Sequence, residues 1–434
     1  MLARISSPTC RRTTVVVFVI LMLAASAFAG GPSEQVLYSF QYSTGDQPYA
    51  GLAADKGGNF YGMTAWGGVN FDGSVFELSP PATAGGAWTG AVLYSFSGGD
   101  NDGAQPYGGL ILDRQGNLYG ATHAGGSNNN GAIFELSPPA TKGGAWTETV
   151  LFLFPTDGSQ GTWPMGTLSM DATGNLYGTT WYGGSGSGLY CPVGGCGVVF
   201  ELMRPASQGG SWTMNVLHNF GAVSGDGDEA GLALVLQSGA IYGTAQSGGA
   251  NGCGIIFQLV QQNETWIENI LHTFVCTDGA QAVAGMIVDS AGNFYGTGRS
   301  GGSTNNGVVF ELSPPAVSGD PWQETTLYSF TGHYDGGLPY GGVIRDSKGN
   351  LYGTASGGGF NNNQSRNNGT VFRLSPPTVS GGAWKEGVLH AFTGATSGDG
   401  AEPLGNLLLY KGAFYGTTLG GGSPGPGTVF SVVP

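Results

Sequence analysis

Apolar residues in this chain come in short bursts separated by stretches of glycine, asparagine, aspartate and proline, and the bursts recur in a fixed order. One unit shows the order well: Gly109 to Asp113 (GLILD), Asn117 to His123 (NLYGATH), Gly131 to Leu136 (GAIFEL) and Thr147 to Phe154 (TETVLFLF). Every piece is of strand length and rich in β-branched or aromatic residues, and none carries a convincing helical period. The Tyr-Gly of the second piece appears seven times, at Tyr61, Tyr119, Tyr177, Tyr242, Tyr295, Tyr352 and Tyr415, at intervals of 53 to 65 residues.

The first two pieces are joined by Asp-x-x-Gly-Asn, starting at Asp55, Asp113, Asp171, Asp289 and Asp346. Asp bonds forward to the backbone there and Gly supplies a positive φ, so a tight hairpin is expected. A Gly/Asn loop joins pieces two and three, a Ser-Pro-Pro stretch ending in Trp joins three and four, and an Asp-Gly link leads to the next unit. Four antiparallel strands per unit, repeated seven times, predict an all-β fold, a seven-bladed β-propeller. An open solenoid is the runner-up, disfavoured because the units are long and their connections read as hairpins. The last unit stops after its third piece, Gly427 to Val432, while a lone fourth piece, Val36 to Phe40, stands near the start. The N-terminal strand is therefore predicted to complete the last blade and leave no free seam. The propeller domain is placed at 34–434.

The phrases GNLYGT, GVVFEL, SPP and VLYSF resemble the GloVer tandem repeats of exported, choice-of-anchor bacterial proteins, over about Val36 to Pro434. The resemblance implies a surface or extracellular location and brings no catalytic residues. Unlike the anchored members, this chain ends inside a repeat, so a secreted form is expected.

Composition sharpens this picture. Arg4, Arg11 and Arg12, an apolar run from Val15 to Ala25 and then Ala27-Phe28-Ala29 fit a secretory signal over 1–29, too short in its apolar part to span a membrane. The formal net charge is −14, and loss of the signal leaves 11 basic against 28 acidic residues. Nucleic acid is thereby excluded as a partner. Four cysteines remain, an even number suited to an oxidising compartment. Cys191 and Cys196 share one insertion, and Cys253 and Cys276 flank neighbouring strand ends, so two disulfides are expected, with zinc thiolates as the alternative.

The copies differ most just after Tyr-Gly-x-x, where two changing residues precede Gly-Gly. Those pairs are Ala65/Trp66, His123/Ala124, Trp181/Tyr182, Gln246/Ser247, Arg299/Ser300, Ser356/Gly357 and Leu419/Gly420. Trp66, His123, Trp181, Tyr182, Gln246 and Arg299 are accordingly the candidate ligand-binding residues, a stacking and hydrogen-bonding ring at the pore mouth suited to sugars. Drift at unconstrained positions is the plainer explanation of the same pattern. His218, His272 and His390 share the third position of the VLYSF phrase and read as packing residues. No catalytic residue and no metal site are assigned, since His123 has no identified carboxylate partner. Asp100/Asp102 and Asp226/Asp228/Glu229 read as turn formers, with Ca²⁺ as the alternative. The expectation is an exported, monomeric, non-catalytic propeller that binds a polysaccharide or surface protein without a cofactor. The alternative is a carbohydrate hydrolase or lyase with acids near the pore.

Overall fold

Each repeat folds into a small antiparallel sheet, and seven such sheets form the ring of a β-propeller. The computed structural model describes residues 33–434, apart from 84, 142, 187–190, 192–193, 208, 318, 360–366, 380 and 396–397. The stretch read as an export signal, 1–29, lies outside the described residues. In the second blade the strands are Ile111–Leu112, Leu118–Thr122, Ala132–Ser137 and Thr147–Leu153, paired in chain order. The fourth blade also takes up the link strand Gly227–Ala230.

Local chemistry explains why the Tyr-Gly phrase recurs. Asp113 Oδ1 accepts from the backbone N–H groups of Gln115 and Asn117, and its Oδ2 accepts from the Asn117 side chain and from the Tyr119 hydroxyl. The tyrosine thus locks the hairpin that precedes it, and Tyr61, Tyr177, Tyr295 and Tyr352 donate to their own hairpin aspartates in the same way. The following glycine makes room for a phenylalanine of the third strand: a Cβ on Gly120 would lie 2.8 Å from the ring of Phe134, which is fully buried.

The first strand of each blade has only two or three residues, shorter than the five-residue piece read from the sequence. The residues ahead of it turn their backbone toward the neighbouring blade instead of their own. Gly109 N–H donates to Thr167 Oγ1 at 2.8 Å, Thr167 N–H to Leu232 O at 2.7 Å, and Leu232 N–H to Val283 O at 2.7 Å. Threonines two places after the repeated tyrosine add to this ring. Thr179, Thr297, Thr354 and Thr417 donate to carbonyls of the next blade, at Gly231, Gly341, Gly405 and Ala50.

The ring closes as its ends suggested. Ser33–Ser39 pairs antiparallel with Thr428–Val433 and becomes the fourth strand of the last blade. Phe40 is fully buried beyond it, 4.9 Å from the Phe76 ring of the first blade and packed with Val429 of the last. Both expected disulfides form, Cys191–Cys196 and Cys253–Cys276, with Cα separations of 4.8 and 5.3 Å. Among the described residues, no helix is long and apolar enough to cross a membrane.

The outer seams between blades hold paired acids. Glu148 faces Asp102, and Glu386 faces Asp335, while Tyr94 and Tyr328 donate their hydroxyls to those two aspartates at 3.1 and 2.9 Å. Burial first, and the facing aspartate second, push both glutamates from the ordinary 4.5 up to about 7. A raised folded-state pKa means stability present at low pH and lost as pH rises through that value. The parent protein is therefore expected to lose melting temperature between about pH 5 and about pH 8 relative to a Glu148→Gln, Glu386→Gln double variant. Parallel pH profiles for the two proteins would refute the assignment.

Candidate functional site

Every link into a blade ends on the same unusual backbone. Gln47, Gln105, Trp163, Glu229, Gln281, Leu338 and Glu402 all have φ between 53° and 59°, a region that residues other than glycine seldom enter. Each is held from two sides. Gln105 N–H donates to Asp72 O of the preceding blade, and its carbonyl accepts from His123 N–H. Trp163 bridges Asn130 and Trp181 likewise, and Gln281 bridges Cys253 and Arg299. These left-handed residues therefore sit beside the changing pairs, on one mouth of the propeller.

Side chains at that mouth form a continuous arc. Tyr49 meets Tyr107 edge-on at 4.7 Å, and Tyr107 meets His123 at 5.3 Å. His123 lies over Trp163 at 5.0 Å with its plane tilted 30°, and Trp163 meets Tyr182 at 5.4 Å. Trp181 stacks on Tyr182 at 5.9 Å. The arc then turns polar: Glu229 accepts from the Tyr182 hydroxyl at 3.0 Å, from Gln246 Nε2 at 2.9 Å and from Ser247 Oγ at 3.0 Å. From the fifth blade, the Arg299 guanidinium lies 5.8 Å from the ring of Tyr340.

Burial pushes the His123 imidazole down to about 4, so it is neutral at physiological pH. Its Nδ1 and the Trp181 Nε1 are buried without a hydrogen-bond partner. Below the arc lies an axial cavity of about 50 Å³, touched by all seven blades through residues such as Tyr49, Tyr107, Met165 and Tyr340. That holds a few waters and no sugar ring. A second recess of about 10 Å³ is lined by Trp181, Gln246, Met165 and Tyr340.

The structure thus brings together five of the six candidate residues or their immediate partners: His123, Trp181, Tyr182 and Gln246 in the arc, with Arg299 on Tyr340. Trp66 stands outside it, 36% exposed, its backbone bridged to Asp46. Tyr49, Tyr107 and Trp163 also belong to the arc, and Tyr340 lies against Arg299. Their signal is in the chain, as x-Pro-Tyr at 47–49, 105–107 and 338–340 and Trp-Pro-Met at 163–165, but a Pro-containing link reads as loop until neighbouring blades are packed.

A model of the Gloeobacter/Verrucomicrobia repeat matches residues 27–237, 186–365 and 229–434, which together span all the described residues. The chain belongs to this family. No curated protein matches it. Among solved structures, this Gloeobacter/Verrucomicrobia repeat protein is similar to a luciferin-regenerating enzyme at 14% identity and a TM-score of 0.43, over 81% of this chain and 98% of that one. It is also similar to a protein of Bacteroides uniformis named as a 6-phosphogluconolactonase, at 13% identity and a TM-score of 0.45, over 79% and 84%. An inulosucrase of Halalkalicoccus jeotgali bound to kestose shares 13% identity and a TM-score of 0.38, over 67% and 91%. Scores this low transfer no activity to the family member described here.

Two further groups of residues in this repeat protein have defined contacts. Asp102 accepts from the Ser97 N–H and hydroxyl and from Gly103 N–H, and Asp226 from Ala222 and Gly227 N–H, so both close the turns that carry them. His218, His272 and His390 do pack edge-on against Phe220, Phe274 and Phe392. Each also approaches an aspartate, Asp226, Asp278 or Asp399, at 3.3, 3.1 and 3.1 Å, which the packing slot did not reveal.

Proposed function

We propose that this protein is an exported binding module that takes up a neutral polysaccharide across the aromatic arc at its loop-bearing mouth. The unbroken run of rings from Tyr49 to Trp181 carries the reading, because a sugar's apolar face stacks on aromatic rings while its hydroxyls need neutral donors and acceptors. The neutral His123 ring and the Gln246 amide lie along the same run. The narrow axis supports a ligand lying across the mouth rather than threading it. Glu229 accepts three side-chain donors, which commits it to holding its neighbours in place and favours binding over hydrolysis. The paired disulfides and the family support action outside the cytoplasm.

The test is a glycan-array screen of the protein lacking residues 1–29, followed by titration with the best ligand. Trp163→Ala and Trp181→Ala are each expected to weaken binding at least about tenfold, as truncation of a central aromatic anchor does. Trp66→Ala is expected to change little. Unaltered affinity in both arc variants, or no glycan bound, would end this reading.

A further inference from the structure

At the outer seam between the third and fourth blades, three different side chains from three segments converge. His218 comes from the last strand of the third blade, Asp226 from the Asp-Gly link, and Glu268 from the last strand of the fourth blade, Thr265–Thr273. Their nearest nitrogen and oxygen atoms lie within 4.8 Å of one another, with His218 Nε2 3.3 Å from Asp226 Oδ1 and 3.7 Å from Glu268 Oε1. The Asp226 side chain is fully buried, that of Glu268 is 9% exposed and that of His218 15%. Glu268 Oε1 is buried without a hydrogen-bond partner while aimed at the imidazole.

We propose that His218, Asp226 and Glu268 form a site for a divalent first-row transition ion of the zinc type, clamping two blades together. Ligand atoms held at about 2.0–2.2 Å from one tetrahedral ion stand roughly 3.3–3.6 Å apart, close to the His218 separations. One imidazole and two carboxylates suit such an ion, whereas Ca²⁺ prefers an all-oxygen shell of about six to eight ligands. The carboxylate is already oriented for the task. Gly227 N–H donates to Asp226 Oδ1 at 2.7 Å and Ala222 N–H to Oδ2 at 3.2 Å, and the Phe220 ring meets the imidazole edge-on at 4.8 Å.

The same constellation recurs at two further seams, His272–Asp278–Glu324 and His390–Asp399–Glu34. In the second of these Glu34 belongs to the N-terminal strand, so an ion would tie that strand to the sixth blade. At the Glu148 and Glu386 seams the histidine slot holds Tyr94 and Tyr328, which offer no imidazole; these two seams are internal controls.

The test uses the protein lacking residues 1–29, freed of metal with a chelator, at neutral pH. Calorimetric titration with ZnCl₂ is expected to show binding of three ions and a rise in melting temperature, and CoCl₂ to give the visible absorption of four-coordinate cobalt. His218→Phe is expected to remove one ion, and the His218→Phe, His272→Phe, His390→Phe triple variant to remove all three. Phenylalanine already occupies this slot at Phe152, so packing is retained. Glu268→Gln, which leaves the imidazole in place, is expected to weaken the same site at least tenfold. No zinc-dependent heat or thermal shift, or full stoichiometry in the triple variant, would overturn the proposal.

Discussion

Deleting Glu34–Phe40 is expected to make the protein aggregate and to lower its melting temperature by many degrees. The segment supplies the fourth strand of the last blade, and its removal exposes the Thr428–Val433 edge along its full length. Unpaired strand edges recruit other chains. The apolar loss is concentrated in Phe40, fully buried at the junction of the last and first blades, and truncation of such a ring costs about 3–5 kcal/mol by itself. Backbone bonds lost from the ladder add roughly 0.5–1.5 kcal/mol each. Together these approach the whole stability of an ordinary domain, about 5–15 kcal/mol. Phe40→Ala isolates the ring contribution while keeping the strand. Size-exclusion chromatography and thermal melting of both variants decide the matter: a truncated protein that elutes and melts like the parent would show that the ring does not depend on this strand.

Gly166→Val is expected to cost about 3 kcal/mol or more, the upper end of what overpacking does. Gly166 stands where the third blade meets the fourth at the axis, and a Cβ there would fall 2.2 Å from the Leu232 carbonyl oxygen. That carbonyl accepts the Thr167 N–H at 2.7 Å and so cannot swing aside without breaking the ring of inter-blade bonds. The crowding runs around the axis: a Cβ on Gly108 would lie 2.3 Å from Gly166 O, and one on Gly405 2.5 Å from Ala50 C. Gly387, in the last strand of the sixth blade, is the control. Nothing lies within 4 Å of its added Cβ and its φ is outside the left-handed region, so Gly387→Ala is expected to leave stability unchanged or slightly raised. Equal chemical-denaturation midpoints for Gly166→Val and the parent would show that the axial segments are free to separate.

Legibility of the chain follows the range of the interactions involved. The hairpin aspartates could be read because their partners lie two to six residues away, as with Asp113, Gln115, Asn117 and Tyr119. The Cys253–Cys276 bridge was readable because it joins the ends of strands that are consecutive in the chain. His123, Trp181 and Gln246 stood out as changes against a constant background, without any indication of what they touch. Trp163 and Glu229, which connect them, lie in links whose left-handed backbone exists only because the preceding blade offers a carbonyl. The seam histidines show the same limit. His218 shares its slot with Tyr94, a packing residue by pattern, and its approach to Glu268 spans fifty residues and two blades.

What this sequence determined alone is the blade, its number and the closure of the ring, because strand length, turn chemistry and the repeat period are local properties. Tertiary structure decided the width of the axis, the make-up of the aromatic arc and the meeting of His218, Asp226 and Glu268. Those depend on how neighbouring sheets are set against one another, and that geometry arises from contacts between residues that no local pattern places together.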